Sequence, residues 1–148
     1  LAWLWVGWAF HLQRYADINT GATYFAAGFV MQAALLAWMT LKQPTVSGKG
    51  RMAVPLVPVA LASPRLARLA GRSWWQAEVF AFAPDPTAIA TLGALLFWRA
   101  PWLLWLIPLL WCAASSATLR ELHASGAWWP AMGALLALGA VLWGRFRR

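Results

Sequence analysis

SWWQAEVFAFAPDPTAIATLGALLFW, residues 73–98, decides how the chain is read. Its centre, Pro84-Asp85-Pro86-Thr87, is chemistry for opening a helix. The ring of Pro86 suits a first helical position, and a carboxylate just ahead of it can accept the backbone N–H groups that a helix leaves unpaired at its start. The expectation is a helix over 86–98, with Asp85 as its cap and Thr87 inside its first turn. Thirteen residues rise only about 20 Å, short of the roughly 30 Å of hydrocarbon in a bilayer. Residues 74–83 are too polar for hydrocarbon and too aromatic for open water, so they are placed at a membrane interface.

The rest of the chain makes an interface the natural reference. Of 148 residues, 62% are hydrophobic and 11% charged, against the roughly 25% charge of an average soluble domain. Thirteen Trp are present, and indole, with an apolar body and one N–H donor, favours the headgroup level. A net charge of +8 would point to nucleic acid in a soluble protein. Here the basic residues flank apolar runs, and membrane orientation accounts for them without nucleic acid. The single Cys112 lies in an apolar run, which excludes an intrachain disulfide or a paired-Cys redox motif.

Outward from the opening stretch, apolar runs at 21–41, 52–69, 102–117 and 126–144 are separated by charged or Gly/Pro-rich breaks. Residues 1–10 read as the end of a further helix, so the N-terminus is taken as incomplete. Pro55, Pro58 and Pro64 interrupt the run 52–69, and Pro108 kinks the run 102–117. A proline inside a membrane helix frees a carbonyl that a neighbouring helix or hydroxyl must satisfy. The expected fold is therefore all-α: one transmembrane helical domain over 1–148, with about five full or near-full spans after a truncated first helix.

In the last helix Gly126, Pro130, Gly133, Ala137, Ala140 and Gly144 recur at spacings of four and three. Such a face of small residues lets helices approach closely. Its partner is expected to be protein, either another helix of this chain or another subunit. Alternating spans put seven basic residues, Lys42, Lys49, Arg51, Arg99, Arg145, Arg147 and Arg148, on one side and five on the other. All four acids, Asp17, Glu78, Asp85 and Glu121, share the side with five, which places the C-terminus in the cytoplasm of a bacterial inner membrane.

HLQRYADINTGATYFAAGF and AEVFAFAPDPTAIATLGALLFW together resemble an uncharacterised family of bacterial polytopic integral membrane proteins, a domain of unknown function. The shared pattern is a His-containing segment ahead of Ile18-Asn19 at the mouth of one helix, and a Phe-x-x-x-Pro-x-Pro-Thr entry to another. That family usually carries a small residue or Cys between the two prolines, so Asp85 departs from it. The resemblance implies architecture and no activity.

Among groups that could do chemistry, His11 is the one candidate for ligating a pigment or haem, and a hydrogen-bonded interfacial histidine is the plainer reading. No catalytic set and no metal site is expected. Ser115, Ser116 and Thr118 have no His or Lys within helical reach. Arg65, Arg68 and Arg72 recur at three and four, a face suited to a lipid headgroup, a partner, or the acids Glu78 and Asp85. Two functions remain. The first is a non-catalytic accessory subunit of a larger membrane complex, respiratory or photosynthetic, whose partners are the bilayer and other membrane subunits and which could hold lipid or pigment. The second is a small permease with a site among the proline-broken helices.

Overall fold

The computed structural model describes residues 1–42, 56–62, 65, 79–98, 100–124 and 126–146. Among these there is helix and no strand. Helix α1 (Ala2–Trp5) runs straight into a π-helical segment, Val6–Tyr15. Then come α2 (Ala22–Leu41), α3 (Leu56–Leu61), α4 (Pro84–Phe97), α5 (Leu103–Glu121) and α6 (Trp128–Phe146). Two of them, α2 and α5, are long and apolar enough to cross a membrane, and α6 carries a shorter apolar stretch, Trp128–Trp143.

Several boundaries move from those expected. The first helix does not stop at residue 10 but continues through His11 and Arg14 to Tyr15. Helix α5 runs to Glu121, because Thr118, Leu119 and Arg120 sit as readily in an exposed last turn as in a loop. It ends where the His123 N–H bonds the Arg120 carbonyl and the Ala124 N–H bonds the Leu119 carbonyl, both at 2.9 Å, with His123 at φ 52. Of the span expected over 52–69 only Leu56–Leu61 is a described helix, and the rest lies outside the described residues.

Helix α4 is the axis of the fold. Most of its residues are apolar, with Asp85, Thr87 and Thr91 as the polar ones. Eleven of its 14 residues are buried, against five of 20 in α2. It packs against α1, α3, α5 and α6. Its middle, Ala88, Ile89 and Leu92, joins Trp3, Val6, Phe29, Cys112 and Ala137 in one core cluster. Toward its C-terminal end Leu95 meets Met39 of α2 and Leu104 of α5 in a second.

Two glycines set how closely helices approach. At Gly133 of α6 an added Cβ would lie 2.8 Å from Cγ1 of Ile89 on α4, and at Gly7 it would lie 3.2 Å from the Phe29 Cβ on α2. The small face of α6 therefore meets α4 of its own chain, with Pro130, Gly133 and Ala137 buried and Gly126 and Ala140 half-buried. The surroundings of Gly144 lie outside the described part.

Candidate functional site

Buried polar groups gather where α4 begins. The helix opens at Pro84, two residues before the expected start, and Ala83 occupies the cap position with extended backbone (φ −117, ψ 148) and no side-chain cap bond. Asp85 is accordingly not the cap. The fixed φ of Pro84 serves the first position as well as that of Pro86 does, which leaves Asp85 in the first turn, where the helix dipole favours a carboxylate.

The Asp85 side chain turns toward α5. It is 4% exposed. Its Oδ1 accepts the Trp111 indole N–H at 2.7 Å and its Oδ2 accepts the Ser115 hydroxyl at 2.8 Å. Trp111 and Ser115 are four residues apart, so α5 presents both from one face.

Thr87 ties the first turn of the helix to the segment ahead of it. Its hydroxyl donates to the Ala83 carbonyl at 2.7 Å and accepts the Ala81 N–H at 3.0 Å. Ala81 has φ 68, a left-handed conformation costly for a residue with a Cβ. The Phe82 and Ala83 N–H groups both bond the Val79 carbonyl, at 3.0 and 2.8 Å, closing a tight turn that Thr87 then ties to α4.

His11 flanks the same Trp111. The imidazole centroid lies 4.9 Å from the indole, 4.7 Å from Phe29, 5.9 Å from Phe25 and 5.3 Å from Phe10. The residue is 2% exposed, and its Nε2 is buried with no hydrogen-bond partner. The imidazole is thus inside the bundle and not on its surface. Aromatic rings box it at contact distance, and Nε2 itself is covered.

Three further bonds tie the helices together beside this cluster. Proline 108 has no N–H for the Leu104 carbonyl four residues earlier, and Gln32 of α2 fills the gap, donating through Nε2 at 3.0 Å. Its Oε1 is buried without a partner. In the first turn of α6 the Ala131 N–H also meets α5, where Ser116 Oγ accepts it at 2.9 Å. Across the other side of α4, Trp3 Nε1 donates to Thr91 Oγ1 at 2.9 Å, while that hydroxyl donates to the Thr87 carbonyl at 2.8 Å.

Of the residues picked out from sequence, the structure thus brings Asp85, Thr87 and His11 to one end of the bundle. Arg65 is exposed, while Arg68, Arg72 and Glu78 lie outside the described residues. Asp17, Glu121 and His123 are exposed. Trp3, Trp111, Gln32, Thr91, Ser115 and Ser116 were not foreseen as partners. The signal was available: each is a polar group set inside an otherwise apolar run.

The chain belongs to DUF6064, a family of unknown function, whose model matches residues 1–148. No curated protein and no solved structure matches the chain.

Proposed function

We propose that the protein is a multi-pass integral membrane protein of the bacterial inner membrane, C-terminus in the cytoplasm, that serves as a non-catalytic accessory subunit of a larger membrane complex. The observation that supports it is the use made of the interior polar side chains. Asp85, Trp111, Ser115, Ser116, Thr91, Trp3 and Gln32 each bind another helix. Side chains used in this way hold a scaffold. Meanwhile large apolar side chains such as Val30, Met31, Leu110, Leu135 and Leu142 face outward, where lipid or neighbouring subunits would cover them.

Extraction in mild detergent and native electrophoresis test this reading. The chain should migrate within a discrete larger complex whose other members mass spectrometry identifies. A protein that purifies alone and by itself carries solute across vesicle membranes would overturn it.

That outcome would favour the second reading, a small permease, which has its own support. Asp85 and His11 are ionisable groups buried in the bundle, and His11 Nε2 and Gln32 Oε1 are buried polar atoms without a hydrogen-bond partner, the kind of group a transport path uses once a movement of the helices uncovers it. On that reading His11→Gln and Gln32→Leu should each abolish flux while leaving the folded protein intact.

A further inference from the structure

Resting on the membrane reading, we infer that the outer surface fits a bilayer whose hydrocarbon layer is thin, about 21–24 Å, rather than the roughly 30 Å of a typical membrane. Three helices carry this independently. On α2 the exposed side carries Tyr24 near one end and Trp38 near the other, one turn before the exposed last residue Leu41, with Ala27, Val30, Met31 and Ala34 between them. The two aromatic residues are fourteen positions apart, about 21 Å along the axis. On α6, exposed Trp128 and Trp143 bracket Met132, Leu135, Leu138 and Gly139, a separation of about 22 Å. On α5 the exposed stripe starts at Trp102, passes Leu106, Leu110 and Ala113, and ends at Thr118 ahead of Arg120, about 24 Å.

Tryptophan and tyrosine at such positions mark the headgroup level. The Lys42 ammonium, 4.6 Å from the Trp38 ring centroid, adds a cation at the same rim. Side chains lean toward the N-terminus of their helix, which shifts both rims of one helix together and leaves their separation unchanged. Any tilt of a helix only shortens its projection on the membrane normal. The buried α4 agrees: its 14 residues rise about 20 Å. In a layer this thin α4 needs no sinking to cross, and Asp85 comes within about a turn of the interface.

The test reconstitutes the full chain in phosphatidylcholine vesicles whose monounsaturated chains have fourteen, eighteen or twenty-two carbons, mixed with a brominated eighteen-carbon lipid that quenches tryptophan. Mismatch costs fractions of a kcal/mol per Å, so the shortest lipid should displace the quencher several-fold better than the longest. Replacing both Trp38 and Lys42 by Leu erases one rim and should shift the preference toward longer chains. An alkaline carbonate wash separates the two levels of failure. Protein released by the wash overturns the membrane reading and this inference with it. Protein that stays in the vesicles but prefers eighteen carbons or more overturns the thin layer alone.

Discussion

Helices α2 and α4 are both apolar enough to look like equivalent spans, yet α2 exposes one side along its length while α4 is buried nearly all round. Hydrophobicity cannot tell them apart, because lipid and the interior of a membrane protein are equally apolar. What separates them is polar content at specific positions. Asp85, Thr87 and Thr91 on α4 are all buried, whereas on α2 Gln32 is buried at mid-helix and Thr23 and Thr40, near the two ends, are exposed. The inward Asp85, Thr91 and Gln32 each bond another helix, while the middle of the outward side of α2 is aliphatic, with Tyr24 and Trp38 toward its ends.

The largest expected effect breaks that division at glycine. Gly133 and Gly139 lie six residues apart on α6, but an added Cβ at Gly133 runs into Ile89, whereas at Gly139 nothing lies within 4 Å. Gly133→Leu should therefore separate α6 from α4, at a cost of about 3 kcal/mol or more, with loss of folded protein in detergent. Ile89→Ala in the same chain removes all three of the crowding atoms and should restore much of the yield. Gly139→Leu should be neutral or stabilising by up to about 1 kcal/mol, since Leu is the better helix former. Equal damage at both glycines in a thermal unfolding assay would show that α6 is not oriented as described.

Next comes the polar cluster. Asp85→Leu removes the acceptor for both Trp111 and Ser115, and each buried donor left unsatisfied costs roughly 1–3 kcal/mol. Asp85→Asn keeps one carbonyl for the indole, and the Ser115 hydroxyl can turn to accept from the amide. The Leu variant should thus unfold at clearly lower temperature than the Asn variant. Far-UV circular dichroism suffices as the readout, since the comparison needs only the order of the two midpoints.

How much of this was legible in the sequence follows from the same division. The helical class, the runs that became α2, α4, α5 and α6, and the special character of Pro84-Asp85-Pro86-Thr87 were all readable, because helix length and proline placement are local properties. Which polar group meets which was not, because those meetings join residues far apart in the chain: Trp3 with Thr91, Gln32 with Leu104, Asp85 with Trp111. The tryptophans misled in a similar way. Their number pointed to interfacial anchoring, which the exposed Trp102, Trp128 and Trp143 fit, whereas Trp3 and Trp111 turn their N–H groups inward. Nothing in the sequence marks the π-helical winding of Val6–Tyr15, and its cause is not evident in the contacts it makes.

A smaller effect sharpens the long-range part. Gln32→Leu leaves the Leu104 carbonyl without its donor and should cost about 1–2 kcal/mol. Pro108→Ala restores an N–H that can bond this carbonyl within α5, so in that background Gln32→Leu should cost measurably less. A double-mutant cycle on unfolding midpoints reads the coupling directly. Additive losses would mean that Gln32 is buried for packing and not to serve the proline.

The smallest effect tests an end of a helix rather than a contact between two. His123 stands where α5 stops, at φ 52, with its own N–H on the Arg120 carbonyl and the next N–H on that of Leu119. These paired bonds form the Schellman ending, which favours glycine at the left-handed position. Histidine tolerates that conformation better than most residues but still carries a Cβ against it. The side chain is exposed. His123→Gly should therefore stabilise by about 0.5–1 kcal/mol, the relief of the left-handed backbone being partly offset by the greater freedom of glycine in the unfolded chain. His123→Val should go the other way, since a β-branched residue fits worst at positive φ. A rise in unfolding midpoint for Gly and a fall for Val would assign His123 to ending the helix. A loss of stability in both would give the imidazole a bonding role of its own.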